Sequence, residues 1–258
     1  MKTSVLASSF LVVVSCKLCF ASFLVMPANG NSPSPEKIVG MAIKEQGGRE
    51  NLEKFQSFQV KGKGTIMEKG RKVPFDFSIW FLSPGKLRQE LTSTQGAKIT
   101  VIRVFDGKEA WEKIAQNKTQ KLSQQKSREY ESACVDHQIL KLYPLLDPKD
   151  VRLTLRGKAK VKGKEAWVVE ILFKKSTKSI LYFDIENKLL VKIRGLTNRS
   201  KEKEEILEDF FEKYQSWQGA KFPAKITTLM DGKDYLEREI LEVAPLRNPD
   251  PKLFSAPE

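Results

Sequence analysis

The pentapeptide GKEAW occurs twice, at residues 107–111 within VFDGKEAWEKI (104–114) and at 163–167 within KVKGKEAWVVEI (160–171). A tight turn between two extended runs needs a residue with positive φ, which Gly adopts at little steric cost. Each copy therefore reads as a hairpin turn that feeds an outgoing strand, with Trp111 and Trp167 as large apolar side chains on it. The rival reading is a pair of Glu–Trp subsites. It lacks an acid–base partner at fixed spacing, and no longer internal repeat contains the two copies.

The same punctuation recurs outward from these two points. Asp106-Gly107, Lys162-Gly163, Gln218-Gly219 and Asp231-Gly232 each separate two extended runs, and Glu186-Asn187 does so in YFDIENKLL (182–190). All five read as two-residue hairpin turns. Between them the apolar period is two. In KVPFDFSIWFL (72–82), Phe75, Phe77, Ile79 and Phe81 share one face, while Asp76, Ser78, Trp80 and Leu82 share the other. Runs 86–94, 97–105, 151–161, 165–173, 179–185, 188–196, 221–230 and 234–243 continue the pattern. Residues 202–217 (EKEEILEDFFEKYQSW) favour helix by propensity. Their place between two strands, with Trp217 beside Gln218-Gly219, favours strand, and strand is the reading taken.

Helical spacing is scarce. Ser34 and Pro35 form a start signal, Ile38, Met41 and Ala42 follow at helical intervals, and Gly47-Gly48 ends the run. A short turn follows over RENLEKF (49–55), and a longer helix is expected over 127–146, closed by Pro144 and Pro148. Residues around 116–126 read as a Lys/Gln-rich loop, and 246–258 as an irregular tail.

Many strands are apolar on both faces. In 165–173, Trp167, Val169, Ile171 and Phe173 point one way, and Ala166, Val168 and Leu172 the other. Such a sheet must be covered on both sides. With few helices on offer, a curved sheet around them leaves apolar surface to line a cavity suited to an apolar ligand. A sheet that closes tightly, with every apolar group in the core, accounts for the same periodicity.

Composition bounds the partners. The chain has 258 residues and a formal charge of +13, which attracts polyanions, nucleic acid or an acidic membrane surface. Residues 1–30 are apolar from Val5 to Met26, broken only by Lys17, and end in PANG with Ala28 and Gly30 at the −3 and −1 positions of a cleavage site. This is a secretory leader, so the expectation is an exported protein. VVVSC, ending at Cys16, also fits loosely a lipoprotein cleavage box, with membrane anchoring through the N-terminus; an uncleaved span would carry Lys17 at a cost. Export and the lack of a recognition helix or RNA-binding aromatic motif argue against nucleic acid. Cleavage after Gly30 removes Cys16 and Cys19, leaving Cys134 without a partner, so the mature fold, 31–258, holds without disulfides.

Chemistry is sparse. His137 is the single histidine and lies three residues after Cys134. A Cys–His nucleophile or half a metal site is the sharp reading; a partly buried thiol and an exposed imidazole is the bland one, and the one taken. No phosphate-cradling loop or dinucleotide fingerprint occurs. A two-carboxylate hydrolase stays open by composition, with no pair nominated. No catalytic residue, metal or cofactor is expected.

The order of the pieces resembles the periplasmic lipoprotein carrier superfamily, the LolA-like and RseB-like proteins. The resemblance runs from about 38 to 257. It is carried by the leading helix with its Gly pair, NLEKFQSFQVKGKG (51–64), FSIWFLSPGKLR (77–88), VFDGKEAW (104–111), YFDIENKLL (182–190), YQSWQGAKFPAKI (214–226) and LFSAPE (253–258). It implies an α+β, mostly β fold: one strongly curved antiparallel half-barrel with helices in its concave side, in a single domain. It also implies a greasy interior that takes the acyl chains of lipoproteins or other lipid, in the periplasm or envelope, as a monomer without enzymatic activity. Relatives either shield lipoprotein lipid or sense it during envelope stress. In the carriers an arginine directly precedes the strand-end proline and holds the lid shut; Ser83 stands there, and Arg88 lies beyond the proline. The latch is therefore not carried over. The candidate lining residues are Phe77, Trp80, Phe81, Val101, Trp111, Trp167, Ile171 and Leu181.

Overall fold

The computed structural model describes residues 32–173, 177–197 and 205–258; the leader reading, with Cys16 and Cys19, lies outside them. Two helices come first, α1 (Pro35–Glu45) and α2 (Arg49–Glu53). Ser34 caps α1 by accepting from Lys37 N–H (3.2 Å). A first run of strands follows: β1 (Phe58–Glu68), β2 (Arg71–Leu82), β3 (Lys86–Ser93), β4 (Thr100–Phe105), β5 (Ala110–Ile114) and the two-residue β6 (Gln120–Lys121). Helix α3 (Gln124–Ile139) leads to a second run: β7 (Val151–Val161), β8 (Lys164–Phe173), β9 (Thr177–Asp184), β10 (Leu190–Thr197), β11 (Glu205–Trp217), β12 (Ala220–Met230) and β13 (Lys233–Pro245).

The thirteen strands of the described residues form one antiparallel sheet in the order β6-β5-β4-β3-β2-β1-β13-β12-β11-β10-β9-β8-β7. Each run is a meander, and they meet where β1 pairs with β13. The sheet is open, with β6 and β7 at its edges. This is the curved half-barrel expected, with α1, α2 and α3 on its inner side, and 202–217 supplies a strand as read.

Two expectations change. The long helix starts earlier and stops at Ile139, because Pro144 cannot donate to a continuing helix and Leu142 takes φ 56°; Tyr143–Leu146 is a separate 3-10 turn. The two GKEAW turns also differ. Lys162-Gly163 is a two-residue turn with both φ positive (47° and 84°), joining Val161 to Lys164. The first copy closes through four residues, from Phe105 to Ala110. There the Asp106 carboxylate accepts from Lys108 and Glu109 N–H, both at 2.8 Å, and competes with the tighter turn. Asp184 does the same with Glu186 N–H (2.7 Å) and Asn187 N–H (3.0 Å), so Glu186-Asn187 is a longer loop too.

The core fills the concavity nearest α1 and α2. Val39, Ala42, Leu52, Phe55 and Phe81 are fully buried. Phe55 meets Phe222 edge-on at 5.1 Å, and Phe58 meets Phe81 at 5.4 Å. Outside, the C-terminal segment is a strap, not a loose tail. Leu246 N–H bonds Ser57 O (2.8 Å), Arg88 Nη1 donates to Leu253 O (3.2 Å), and Thr119 and Lys113 hold the carbonyls of Pro257 and Glu258.

Candidate functional site

Register assigns each strand residue to a face. Phe75, Phe77, Ile79 and Phe81 on β2 oppose Gly64, Gly62, Val60 and Phe58 on β1, all on the inner face. Of the eight lining candidates, Phe77, Phe81, Val101, Trp167, Ile171 and Leu181 lie on that inner face. Phe81, Ile171 and Leu181 are fully buried in the core, whereas Trp167 is half-buried with the Lys158 ammonium 4.8 Å from its ring. Trp80 and Trp111 lie on the outer face, in the row Trp80–Arg88–Val104–Trp111. The Arg88 guanidinium stands 5.9 Å from the Trp80 ring centroid, below the C-terminal strap. The two tryptophans of GKEAW thus face opposite ways, because Phe105, which enters the first turn, faces in, and Val161, which enters the second, faces out.

Helix α3 does not fill the concavity. It packs chiefly on β3, β4 and β5, where Ser127 Oγ accepts from Ala110 N–H (3.2 Å). At its C-terminal end Gln138 Nε2 donates to Pro84 O, and Lys141 Nζ donates to Gln56 O (3.0 Å). These two bonds fasten the helix beside Ser83. On α3, Asp136 is exposed and yet amid enough protein to be desolvated, within electrostatic reach of Asp209 on β11 and Arg238 on β13. A hollow therefore lies between α3 and the β11–β13 wall.

The hollow is two-sided in character. Toward β1 and β2 it meets half-buried Phe75 and Val60 beside Phe77. Those rings lie against β1 because residues 62 and 64 are glycines: a Cβ at Gly62 would stand 2.5 Å from Phe77 Cζ, and one at Gly64 would stand 2.8 Å from Phe75 Cζ. Toward β11–β13 it is polar. Thr228 Oγ1 donates to Asp209 Oδ1, and Arg238 Nη2 lies 3.3 Å from the same oxygen. The sequence masked this wall, because a bulge at Leu241 on β13, where the register with β1 shifts between Lys61 and Gly62, brings Arg238 to the same face as Val243.

Burial pushes the Asp136 carboxyl up to about 7; Asp209 adds repulsion and Arg238 opposes both. The folded chain thus keeps a proton that the unfolded chain, titrating near 3.8, has released. This group's contribution to stability therefore falls as pH rises from about 4 to 7 and stays reduced above. His137 works the other way: burial lowers it from 6.5 to about 3, so its contribution is lost as pH falls below 6.5. Asp136→Asn isolates the first effect. Thermal melts are expected to show the variant more stable than wild type at pH 8 and equal to it near pH 4. A constant difference across that range would refute the assignment.

Cys134 and His137 form no activated pair. Burial pushes the thiol up to about 12, so it stays protonated, and the imidazole is neutral. His137 is half-buried, not exposed, with Phe58 and Phe81 at 5.7 and 5.6 Å. Among the described residues no group of three His, Cys, Asp or Glu side chains is placed to hold a metal. Among them, too, no helix is long and apolar enough to cross a membrane.

No family sequence model matches the chain, and no curated protein sequence matches it. Solved structures do. A LolA superfamily protein from Nitrosomonas europaea is 12% identical with a TM-score of 0.53, over 87% of this chain and 98% of that one. A DUF1329 family protein from Desulfovibrio piger is 11% identical with the same TM-score and coverage. A domain from Vibrio parahaemolyticus assigned to outer membrane lipoprotein sorting is 9% identical, at TM-score 0.53, over 84% and 95%. At this identity the likeness establishes the architecture, a LolA-like half-barrel, and leaves the activity to the site.

Proposed function

We propose that the chain is a non-enzymatic, exported binder of acyl chains that holds lipoprotein or other lipid in the hollow beneath α3. The observation that carries this is the gap itself: α3 rests on one wing of the sheet and leaves Phe75, Val60 and Asp136 accessible inside the curve. Acyl chains gain about 0.8 kcal/mol per methylene when they leave water for such a floor. The polar wall of Asp209, Thr228 and Arg238 suits the ester and amide groups that join those chains to a peptide. The net charge, +13 for the full chain and +11 once Lys2 and Lys17 leave with residues 1–30 (13 − 2), draws the protein toward acidic membrane surfaces, more weakly in salt.

Native mass spectrometry of protein purified from its own envelope tests the reading. Bound lipid or acylated peptide is expected, retained about tenfold less by Phe75→Ser, which removes apolar floor at a half-buried ring. A stoichiometric membrane regulator in place of lipid would make the chain an envelope sensor. One observation favours a second reading. Asp136 lies within electrostatic reach of Asp209 and is pushed up to about 7, the raised carboxyl that a carboxylate-dependent hydrolase uses as its acid. Hydrolysis of an acyl ester by wild type, absent in Asp136→Asn, would establish it over the carrier.

A further inference from the structure

At the end of α3, away from the hollow, a cleft of about 430 Å³ opens between α2, the β2–β3 turn and the 3-10 turn at Tyr143–Leu146. Arg49, Ser83, Gln138, Lys141 and Tyr143 line it, with Asp147 and Asp150 at the rim. Lys141 is 2% exposed. Its ammonium donates one hydrogen bond, to Gln56 O (3.0 Å), and forms no ion pair with a described carboxylate. Its other neighbours are rings, Phe81 at 4.9 Å and Tyr143 at 6.0 Å. The Arg49 guanidinium lies 5.8 Å from the same Tyr143 ring. Two cations therefore flank one ring, one of them buried without a counterion.

A buried, unpaired cation is costly, and a chain that keeps one gains from an anion supplied from outside. Burial lowers this ammonium to about 8, so it is still charged at neutral pH. We infer that the cleft binds a phosphate-type anion, with Lys141 and Arg49 as its charge partners and Ser83 and Gln138 as neutral donors. Glu53 takes Arg49 Nε (2.6 Å) and leaves both Nη groups for oxygens. Lys141 keeps two N–H groups beyond its bond to Gln56. Gln138 keeps one beyond its bond to Pro84, and Ser83 offers its hydroxyl. These donors outnumber what the two oxygens of a carboxylate accept and match the four of phosphate. Asp147 accepts from Lys149 N–H (3.0 Å) and stays at the rim. The same chemistry arrives as free phosphate or as a phospholipid head group, and Pro144, Leu146 and Pro148 give the cleft an apolar lip for the second.

Calorimetric titration of the full chain at constant ionic strength decides it, with inorganic phosphate in one arm and dihexanoyl phosphatidic acid below its micelle concentration in the other. Wild type is expected to bind at least one probe. Lys141→Met, which fills the same space and removes a buried charge, is expected to bind at least tenfold more weakly. Arg49→Gln, at a side chain 68% exposed and so without risk to the fold, is expected to weaken binding severalfold. Tighter binding of phosphate assigns a free anion; tighter binding of the lipid assigns a head group. No binding of either probe at about 10 mM, or undiminished binding in both variants, would overturn the inference. Acyl retention that survives Lys141→Met keeps this cleft's result separate from that of the hollow.

Discussion

Gly47→Ala is expected to destabilise the fold by about 3 kcal/mol or more, and so to lower Tm by roughly 6–12 °C for a chain of this size. The cause is an interlock between the α1–α2 junction and the β11–β12 turn. Lys221 N–H bonds Gln46 O at 2.7 Å, and Asn51 Nδ2 bonds Gly47 O at 2.8 Å. A Cβ on Gly47 would stand 2.0 Å from Gly219 O, an atom of the backbone that no rotamer change can move. Gly47 also holds φ 108°, a region that side chains resist. Gly48 is the control. Its φ is 85°, yet a Cβ there meets nothing within 4 Å, so Gly48→Ala should cost only the conformational strain, about 1–2 kcal/mol. Equal losses in the two variants would show that the junction is not locked to the hairpin.

Gly62→Ala should cost about 2–3 kcal/mol through overpacking at the centre of the sheet. The new methyl would stand 2.3 Å from Glu239 O on β13 and 2.5 Å from Phe77 Cζ on β2. Phe77 is 4% exposed and packed in the core, so it can shift only at a cost. Trimming the ring with Phe77→Leu relieves one of the two collisions, so the double variant should recover part of the loss and not all of it. Denaturant unfolding of the four proteins in this cycle measures the coupling. Strict additivity would mean that the ring does not lie over Gly62. Because Phe77 borders the hollow, the single variant should also hold acyl chains more weakly.

Much of this architecture is written in local pattern. The alternation through Phe75, Phe77, Ile79 and Phe81 announces a strand, and Lys162-Gly163, Gln218-Gly219 and Asp231-Gly232 close as the two-residue turns that their glycines suggest. What escaped pattern reading depends on side chains acting at a distance. Asp106 and Asp184 lengthen their loops by accepting backbone N–H groups, and Trp111 points outward while Trp167 points in because the incoming strands reach their turns on opposite faces. The inward turn of Arg238 beside Asp209 and Thr228 follows a bulge at Leu241 that leaves no mark in hydropathy. The strap formed by 246–258 looks like a tail until Phe254 is seen to be buried and Arg88 to hold Leu253 O. Gln138 and Lys141 fasten the end of α3 by donating to the carbonyls of Pro84 and Gln56, partners distant in sequence that no local pattern announces.

The strand order also dictates how the chain assembles. Within each meander neighbours in space are neighbours in sequence, so those ladders form through short closures. The β1–β13 ladder is the exception, joining Phe58 to Pro245 across nearly the whole chain. Its closure entropy is the largest among the ladders and is offset by nine cross-strand pairs, interrupted by a bulge at Lys61–Gly62, together with the Gln46–Lys221 bond and the Phe55–Phe222 contact. Two preformed half-shells that zip together last, around a crossing helix already tethered to one of them, is the folding route this topology imposes.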